Sequence, residues 1–247
     1  MRRYNLGYIS DQDLFDHVKE TVQKYRFKID LKRFNKNLID PIKLTFDAKI
    51  YAKSIEEIIE SEIIRQIDKS NTNHIGYFHQ NIFKYIDPEW KVPKQGFDLV
   101  NETEKIYVEI KNKHNTMNSS SSQRTYMKMQ AMLLKDARNR CMLVEVIAKK
   151  SQNIPWQVSI DGVPHKHDFI RRVSMDRFYE LVTGEKEAFK RLCEVLPVVL
   201  EDVLEEISES PIENTVFNEL QKLSPNMLKS LYLLSFGRYE GFDSFQL

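Results

Sequence analysis

Cysteine is scarce: Cys141 and Cys193 are the only two in 247 residues, and both fall in apolar periodic segments. That count excludes a disulfide framework and a cysteine-rich zinc site, and it suits a reducing cytoplasm. Long hydrophobic runs are also missing. The strongly apolar stretches, such as Val195–Leu200, fall far short of the roughly 20 residues that span a bilayer. The opening Met-Arg-Arg-Tyr-Asn-Leu lacks the apolar run of a secretory signal. A cytoplasmic protein with no membrane partner is therefore expected. Walker loop, GxSxG and dinucleotide fingerprint are all absent, as is any internal repeat or long flexible linker.

What is present is ordinary in amount, with 41% hydrophobic and 30% charged residues, enough for one large domain or two small ones. The net charge is only +1, yet the charge is unevenly placed. Ten Lys or Arg stand against three acids (Glu109, Asp136, Glu145) from Lys105 to Lys150, and ten against four from Lys19 to Lys53. Seven acids and no base lie from Glu201 to Glu219. Such tracts are commonly solvated faces, but a basic tract can also meet a polyanion.

Periodicity predicts the elements. Leu14, Phe15, Val18 and Val22 mark one face of a helix over Asp11–Lys24. The segment Phe27–Leu44 is mixed and basic, broken at Asp40-Pro41. A helix over Ile55–Lys69 starts at a Ser54/Glu57 capping box and carries the stripe Ile55, Ile58, Ile59, Ile63. Asn71–Asn73 is expected to close it, with a short helix in Gly76–Ile86. Strands are expected at Phe97–Asn101, Ile106–Lys111, Met142–Ala148 and Trp156–Ile160, the last followed by the turn pair Asp161-Gly162. A helix is expected over Arg124–Asn139, in which the spacing of Met and Leu from Met127 to Leu134 reads as a core face. After Met175 the chain reads as helices: Asp176–Val182 closed by Gly184, Lys186–Ile207 interrupted at Pro197, Pro211–Leu223 and Pro225–Phe236. The order predicts one α/β domain over 1–247, helical from about 175 to 247.

One constellation carries chemistry. In Ile106-Tyr107-Val108-Glu109-Ile110-Lys111 the side chains alternate, so Glu109 and Lys111 project together, about 6–7 Å apart. If Asn101 pairs with Ile106 across a four-residue loop, Asp98 falls beside Glu109, with Cα atoms roughly 4.5–5.5 Å apart. Opposed carboxylates repel unless a divalent cation lies between them. An adjacent ammonium can then stabilise a phosphate under attack. On the preceding helix Glu62 falls inside the apolar stripe with Gln66; a carboxylate there needs a positive partner or a metal, and a plain salt bridge answers that as well as a place in the active site does. His79 and Gln80 either line the site or pack the core. His165 and His167 share a strand face with no third ligand nearby and read as surface.

Gly96-Phe97-Asp98 followed by Tyr107-Val108-Glu109-Ile110-Lys111 resembles the signature of the PD-(D/E)xK nuclease superfamily. Four segments, 61–66, 76–80, 109–122 and 178–184, resemble type II restriction endonucleases that recognise GGNCC-like sites. Phe97 stands where the signature has proline. The resemblance implies a restriction-endonuclease-like core, a mixed central sheet flanked by helices, with a helical C-terminal extension. It implies Mg²⁺, replaceable by Mn²⁺, held by Asp98, Glu109 and Ile110, with Lys111 catalytic and Glu62 the helix acid. It also implies a homodimer on palindromic duplex DNA and a separately encoded methyltransferase. After the catalytic strand, Asn112, Lys113, His114, Asn115, Ser119, Ser120, Ser121, Ser122, Gln123 and Arg124 are residue types that contact phosphates or base edges, or that compose a flexible Ser/Asn loop. A structure-specific repair or recombination nuclease is the alternative within this chemistry; a non-catalytic DNA-binding protein is the alternative outside it.

Overall fold

The computed structural model describes residues 2–25, 27–207, 213–239 and 242–246. The chain opens with helix α1 (Asp11–Lys24), a two-residue strand β1 (Lys28–Ile29) and helices α2 (Leu31–Asn35), α3 (Pro41–Ile50), α4 (Ile55–Asn81) and α5 (Phe83–Ile86). Next come β2 (Trp90–Lys91), β3 (Leu99–Asn101), β4 (Ile106–Lys113), helix α6 (Ser119–Lys135), β5 (Arg140–Ile147), β6 (Asn153–Ile160) and β7 (Val163–Ser174). Helices α7 (Met175–Thr183) and α8 (Ala188–Glu206), strand β8 (Glu213–Asn214), helices α9 (Val216–Leu223) and α10 (Met227–Phe236) and a 3-10 turn at Phe242–Ser244 follow. Two compact units result, Met1–Gln23 with Ile75–Ile207 and Lys24–His74 with Ser208–Leu247.

The first unit holds a six-stranded sheet in the order β2-β3-β4-β5-β7-β6. The pairs β2/β3, β3/β4 and β6/β7 are antiparallel, while β4/β5 and β5/β7 are parallel. The sheet is thus mixed and flanked by helices, as expected. Its central strand β5 buries Cys141, Met142, Leu143 and Val144 on both faces, the continuous apolar run of a covered parallel strand. On one face α6 lays Tyr126 and Met129 against Phe97, Val100, Cys141, Leu143, Trp156, Val158 and Ile170. Elsewhere in the unit α7 sets Phe178 edge-on to Phe83 and Trp90, at 4.8 and 5.3 Å between ring centres. Helix α7 ends where Gly184 takes a left-handed conformation (φ 78°) that a side chain resists. Asp161 and Gly162, both at positive φ, make the expected tight turn between β6 and β7.

The second unit packs Ile29, Phe34, Leu44, Ile58, Ile59 and Ile63 with Val216, Leu220 and Leu231. The Ile stripe and the capping box form as read: Glu57 accepts the Ser54 N–H at 2.8 Å and donates its own to Ser54 Oγ at 3.2 Å.

Several boundaries differ from the sequence reading. Helix α4 does not close at Asn71–Asn73 but runs to Asn81, because three weak helix formers and one glycine cost little beside the packing of the turns around them. Asp40-Pro41 is not a break but a start: the Asp40 carboxylate caps Ile42 and Lys43, and proline takes the first turn of α3. Pro197 lies inside an unbroken α8. The start of the expected helix at Pro211, with Glu209 of the acidic tract, lies outside the described residues, and α9 begins at Val216. Helix α10 starts after Asn226, whose side chain caps Lys229, and not at Ser224. The parallel pair β1/β8, Lys28 beside Glu213, is too short to leave a period-two signal.

Candidate active site on the β3–β4 hairpin

The hairpin that carries Asp98 and Glu109 forms in the register read from the sequence, with Asn101 opposite Ile106 and Leu99 opposite Val108. The loop between is Glu102–Lys105. The Asn101 side chain accepts the Glu104 N–H at 2.9 Å, and Lys105 turns the chain at φ 55°. Strand pairing stops at Leu99, one residue short of Asp98. Asp98 is nevertheless fixed twice. Its N–H donates to Val108 O at 2.9 Å, and its Oδ2 accepts the Ile110 N–H at 2.8 Å. Burial pushes the Asp98 carboxyl up from its ordinary pKa, and the Glu109 charge beside it pushes further in the same direction; the Ile110 N–H and two lysines pull only partly back.

Glu109 is 7% exposed, and each of its oxygens has a cation. Lys111 Nζ lies 3.3 Å from Oε2. On Oε1 sits the ammonium of Lys128, from α6. Lys128 also donates to Gly96 O at 2.6 Å and lies 4.2 Å from the centre of the Phe97 ring. The site therefore joins Asp98, Glu109, Lys111 and Lys128. The sequence reading missed Lys128, having taken Met127–Leu134 as a core face. Met129 does face the core, but Met127 and Leu134 are 56% and 89% exposed. The available signal was Lys128 sitting two residues after one core residue, Tyr126, and directly before another, Met129.

The donor set suits a hard divalent cation. Two carboxylates, one of them made more basic by the other, are relieved by such an ion. Ile110, expected as a ligand, meets Asp98 through its N–H. Among the described residues no group of three or more His, Cys, Asp or Glu side chains could hold a metal.

The stretch after β4 is more ordered than a Ser/Asn loop. Asn112 and Lys113 continue the strand. Asn118 caps α6 by accepting the Ser121 N–H, so Ser119, Ser120, Ser121, Ser122, Gln123 and Arg124 form its first turns, five residues ahead of the expected start. Gln123 donates to Ser159 O at 2.9 Å. His114 joins a group around the buried Glu145, in which Arg172 Nε donates to Glu145 Oε1 at 2.9 Å and Arg172 Nη2 donates to His114 O at 3.1 Å. Lys113, Asn115, Ser119, Ser120 and Arg124 are exposed.

Glu62 lies in the second unit. Both its oxygens are held by Arg65 at 2.6 Å, and Gln66 donates to one of them at 2.9 Å. Burial raises its pKa, but Arg65, Gln66 and Lys43 outweigh that, and the carboxyl ends below its ordinary value. His79 is driven down to about 4 by burial and by His17, so it is neutral at pH 7. His167 is exposed, and its Nδ1 accepts the Phe169 N–H, the surface role expected of it.

The family described as Eco47II restriction endonuclease matches residues 6–205, a stretch that contains every residue of the hairpin site. The type II restriction enzyme Sau96I of Staphylococcus aureus is 34% identical over 212 residues, 81% of each chain. The type II restriction enzyme Eco47II of Escherichia coli is 34% identical over 214 residues, 81% of this chain and 89% of its own length. No solved structure matches. A match over most of the chain, together with two relatives above 30% identity, places this protein in the Eco47II restriction endonuclease family.

Proposed function

We propose that residues 1–247 act as one nuclease domain that cuts both strands of duplex DNA at a short palindromic GGNCC-like site, by Mg²⁺-dependent phosphodiester hydrolysis. One observation carries the reading: Asp98, Glu109 and Lys111 converge on the β3–β4 hairpin, the two acids close enough that Glu109 raises the pKa of Asp98. In hydrolysis a water oxygen bonds to phosphorus, the bond to a sugar oxygen breaks, and that oxygen takes a proton. Asp98, Glu109 and the Ile110 carbonyl would hold the cation, with Mn²⁺ able to replace Mg²⁺; the ion supplies Lewis-acid activation of water and phosphate. Lys111 places its ammonium where negative charge grows on the phosphate. Asp98 is held by the Ile110 N–H, which donates to its Oδ2 at 2.8 Å.

The residues at the end of β4 and after it contact DNA in this reading, Lys113, Asn115, Ser119, Ser120 and Arg124 directly, while Asn112, His114, Ser121, Ser122 and Gln123 shape that surface. Glu62 is the helix acid. One cluster per chain and a two-fold substrate call for a C₂ homodimer, which supplies a second site across the DNA dyad. A separate methyltransferase protects host DNA, and both proteins work in the cytoplasm.

The test is cleavage of plasmid DNA with Mg²⁺ and with EDTA. Discrete fragments ending at GGNCC-like sites, lost with EDTA and in Asp98→Ala, Glu109→Ala and Lys111→Ala, are expected. Each substitution should lower cleavage by at least about 100-fold while specific binding persists. A smear would move the reading to a structure-specific nuclease, and near wild-type cutting by any one variant would remove that residue from the site.

A further inference from the structure

Glu109 presents a problem before any cation arrives. Its carboxylate is 7% exposed, and a buried charge without a partner is costly. Lys111 satisfies only Oε2. The oxygen that remains, Oε1, is taken by Lys128. Lys128 differs from Lys111 in having a second seat: Gly96 O accepts from it at 2.6 Å, and the Phe97 ring lies 4.2 Å beneath it. Both contacts survive if Glu109 is taken away. Its side chain is 35% exposed and borders a cavity of about 690 Å³ that Lys91, Lys94 and Lys135 also line. An ammonium with one contact to release, two to keep and open space beside it is built to give way.

We propose that Lys128 is a positioning residue that holds Glu109 Oε1 in the place a divalent cation will need, and yields that oxygen when the cation binds. The inference rests on the proposed metal site. Before metal, the two acids and two lysines sum to zero charge, so the carboxylates are compensated by the partly exposed ammonium groups. With the cation on Asp98 and Glu109, Lys128 is freed toward the cavity, where the nearest chemistry it suits is a phosphate oxygen of the bound strand. Lys128 must then oppose metal binding in the free enzyme and assist turnover in the DNA complex. A lysine that merely braces the hairpin would show neither opposition nor this split.

The experiment measures Mn²⁺ binding to the full chain without DNA, by the loss of the free-ion electron paramagnetic resonance signal. Wild type, Lys128→Met, Lys128→Gln, Lys94→Met and Asp98→Asn are compared, with circular dichroism checking the fold. Removing an ammonium that competes directly for a ligand oxygen should tighten Mn²⁺ binding by about tenfold, equivalent to about 1.4 kcal/mol. Lys94→Met, on the same cavity without a contact to Glu109, should stay within about twofold. Lys128→Met should nonetheless cleave plasmid more slowly than wild type at saturating Mn²⁺. Unchanged or weaker Mn²⁺ binding in a folded Lys128→Met or Lys128→Gln protein would overturn the proposal, as would tightening by Lys94→Met to the same degree. Equal Mn²⁺ binding by wild type and Asp98→Asn would instead overturn the metal site on which it rests.

Discussion

Glu145 has 1% of its side chain exposed, and its partner Arg172 has 21%. Replacing Arg172 by Met removes the cation and leaves the carboxylate with His114 Nδ1, 3.2 Å from Oε2, as its one remaining side-chain contact. Breaking a buried pair from one side costs about 3–5 kcal/mol, whereas replacing both partners by apolar residues is often neutral. Urea unfolding of a unit this size loses about 2 kcal/mol per molar, so Arg172→Met should lower the midpoint by about 1.5–2.5 M. Both tryptophans, Trp90 and Trp156, lie in the unit that holds this pair, so their fluorescence follows it. The double variant Glu145→Leu/Arg172→Met should recover most of the loss, a coupling of at least about 2 kcal/mol. The cost should reach cleavage too. Glu145 stands beside Lys111 in the β4/β5 register, and Arg172 keeps its oxygens engaged, which leaves Lys111 for Glu109. Once freed, Glu145 competes for Lys111, and Arg172→Met should cut DNA more slowly under conditions where it is fully folded. A midpoint shift under about 0.5 M, or single and double variants that simply add, would refute this account.

Other expectations are briefer. Asp98 has a folded pKa above its unfolded value, so the carboxyl favours the folded state at low pH and that contribution is lost as pH rises through the folded pKa. Asp98→Asn in EDTA should therefore unfold at higher urea than wild type at pH 7, with the gap closing below the ordinary carboxylate pKa; a less stable variant at pH 7 refutes the shift. Glu62→Gln should impair cleavage more than Glu57→Gln, and equal effects would leave Glu62 as the partner of Arg65 and Gln66 alone. Sedimentation with a short duplex carrying the site should give two chains per duplex, and a one-to-one complex nicking a single strand refutes the dimer.

Local signals were the legible ones. Helix α1 and the Ser54/Glu57 cap follow from spacing and from side chains within four residues of each other. The β3–β4 register follows from loop length and a period of two, and it correctly brought Asp98 beside Glu109. Boundaries failed where tertiary packing overrides weak local preference. Asn71–Asn73 reads as an end only if nothing packs beyond it, and α4 runs on to Asn81. The serines of 119–122 read as loop because serine is a middling helix former. Asn118 supplies the cap that turns them into a first helical turn, and a cap six residues upstream of the expected start is visible only to a reader who tests each Asn as a start.

The active site divides in the same way. Glu109 and Lys111 sit on β4, and Asp98 directly precedes β3, the antiparallel neighbour joined to β4 by four residues, so their convergence could be counted out along the chain. Lys128 arrives by a different route, through the helix that crosses from β4 to its parallel neighbour β5. Nothing in the spacing of residues 109 and 128 fixes which face of α6 meets the sheet. The stripe that decides it, Tyr126 and Met129 turned inward, competes with an equally apolar alternative through Met127 and Leu134, both of which face out. Arg172 is farther still, since it reaches Glu145 only because β7 pairs in parallel with β5. A charged residue placed by a parallel crossover leaves only a faint mark at its own position, as Lys128 does between Tyr126 and Met129. It becomes predictable once the carboxylate it must neutralise is known to be buried. Glu109, closed off from water with one oxygen unclaimed by Lys111, required a cation from somewhere in the fold, and the only question was which helix would deliver it.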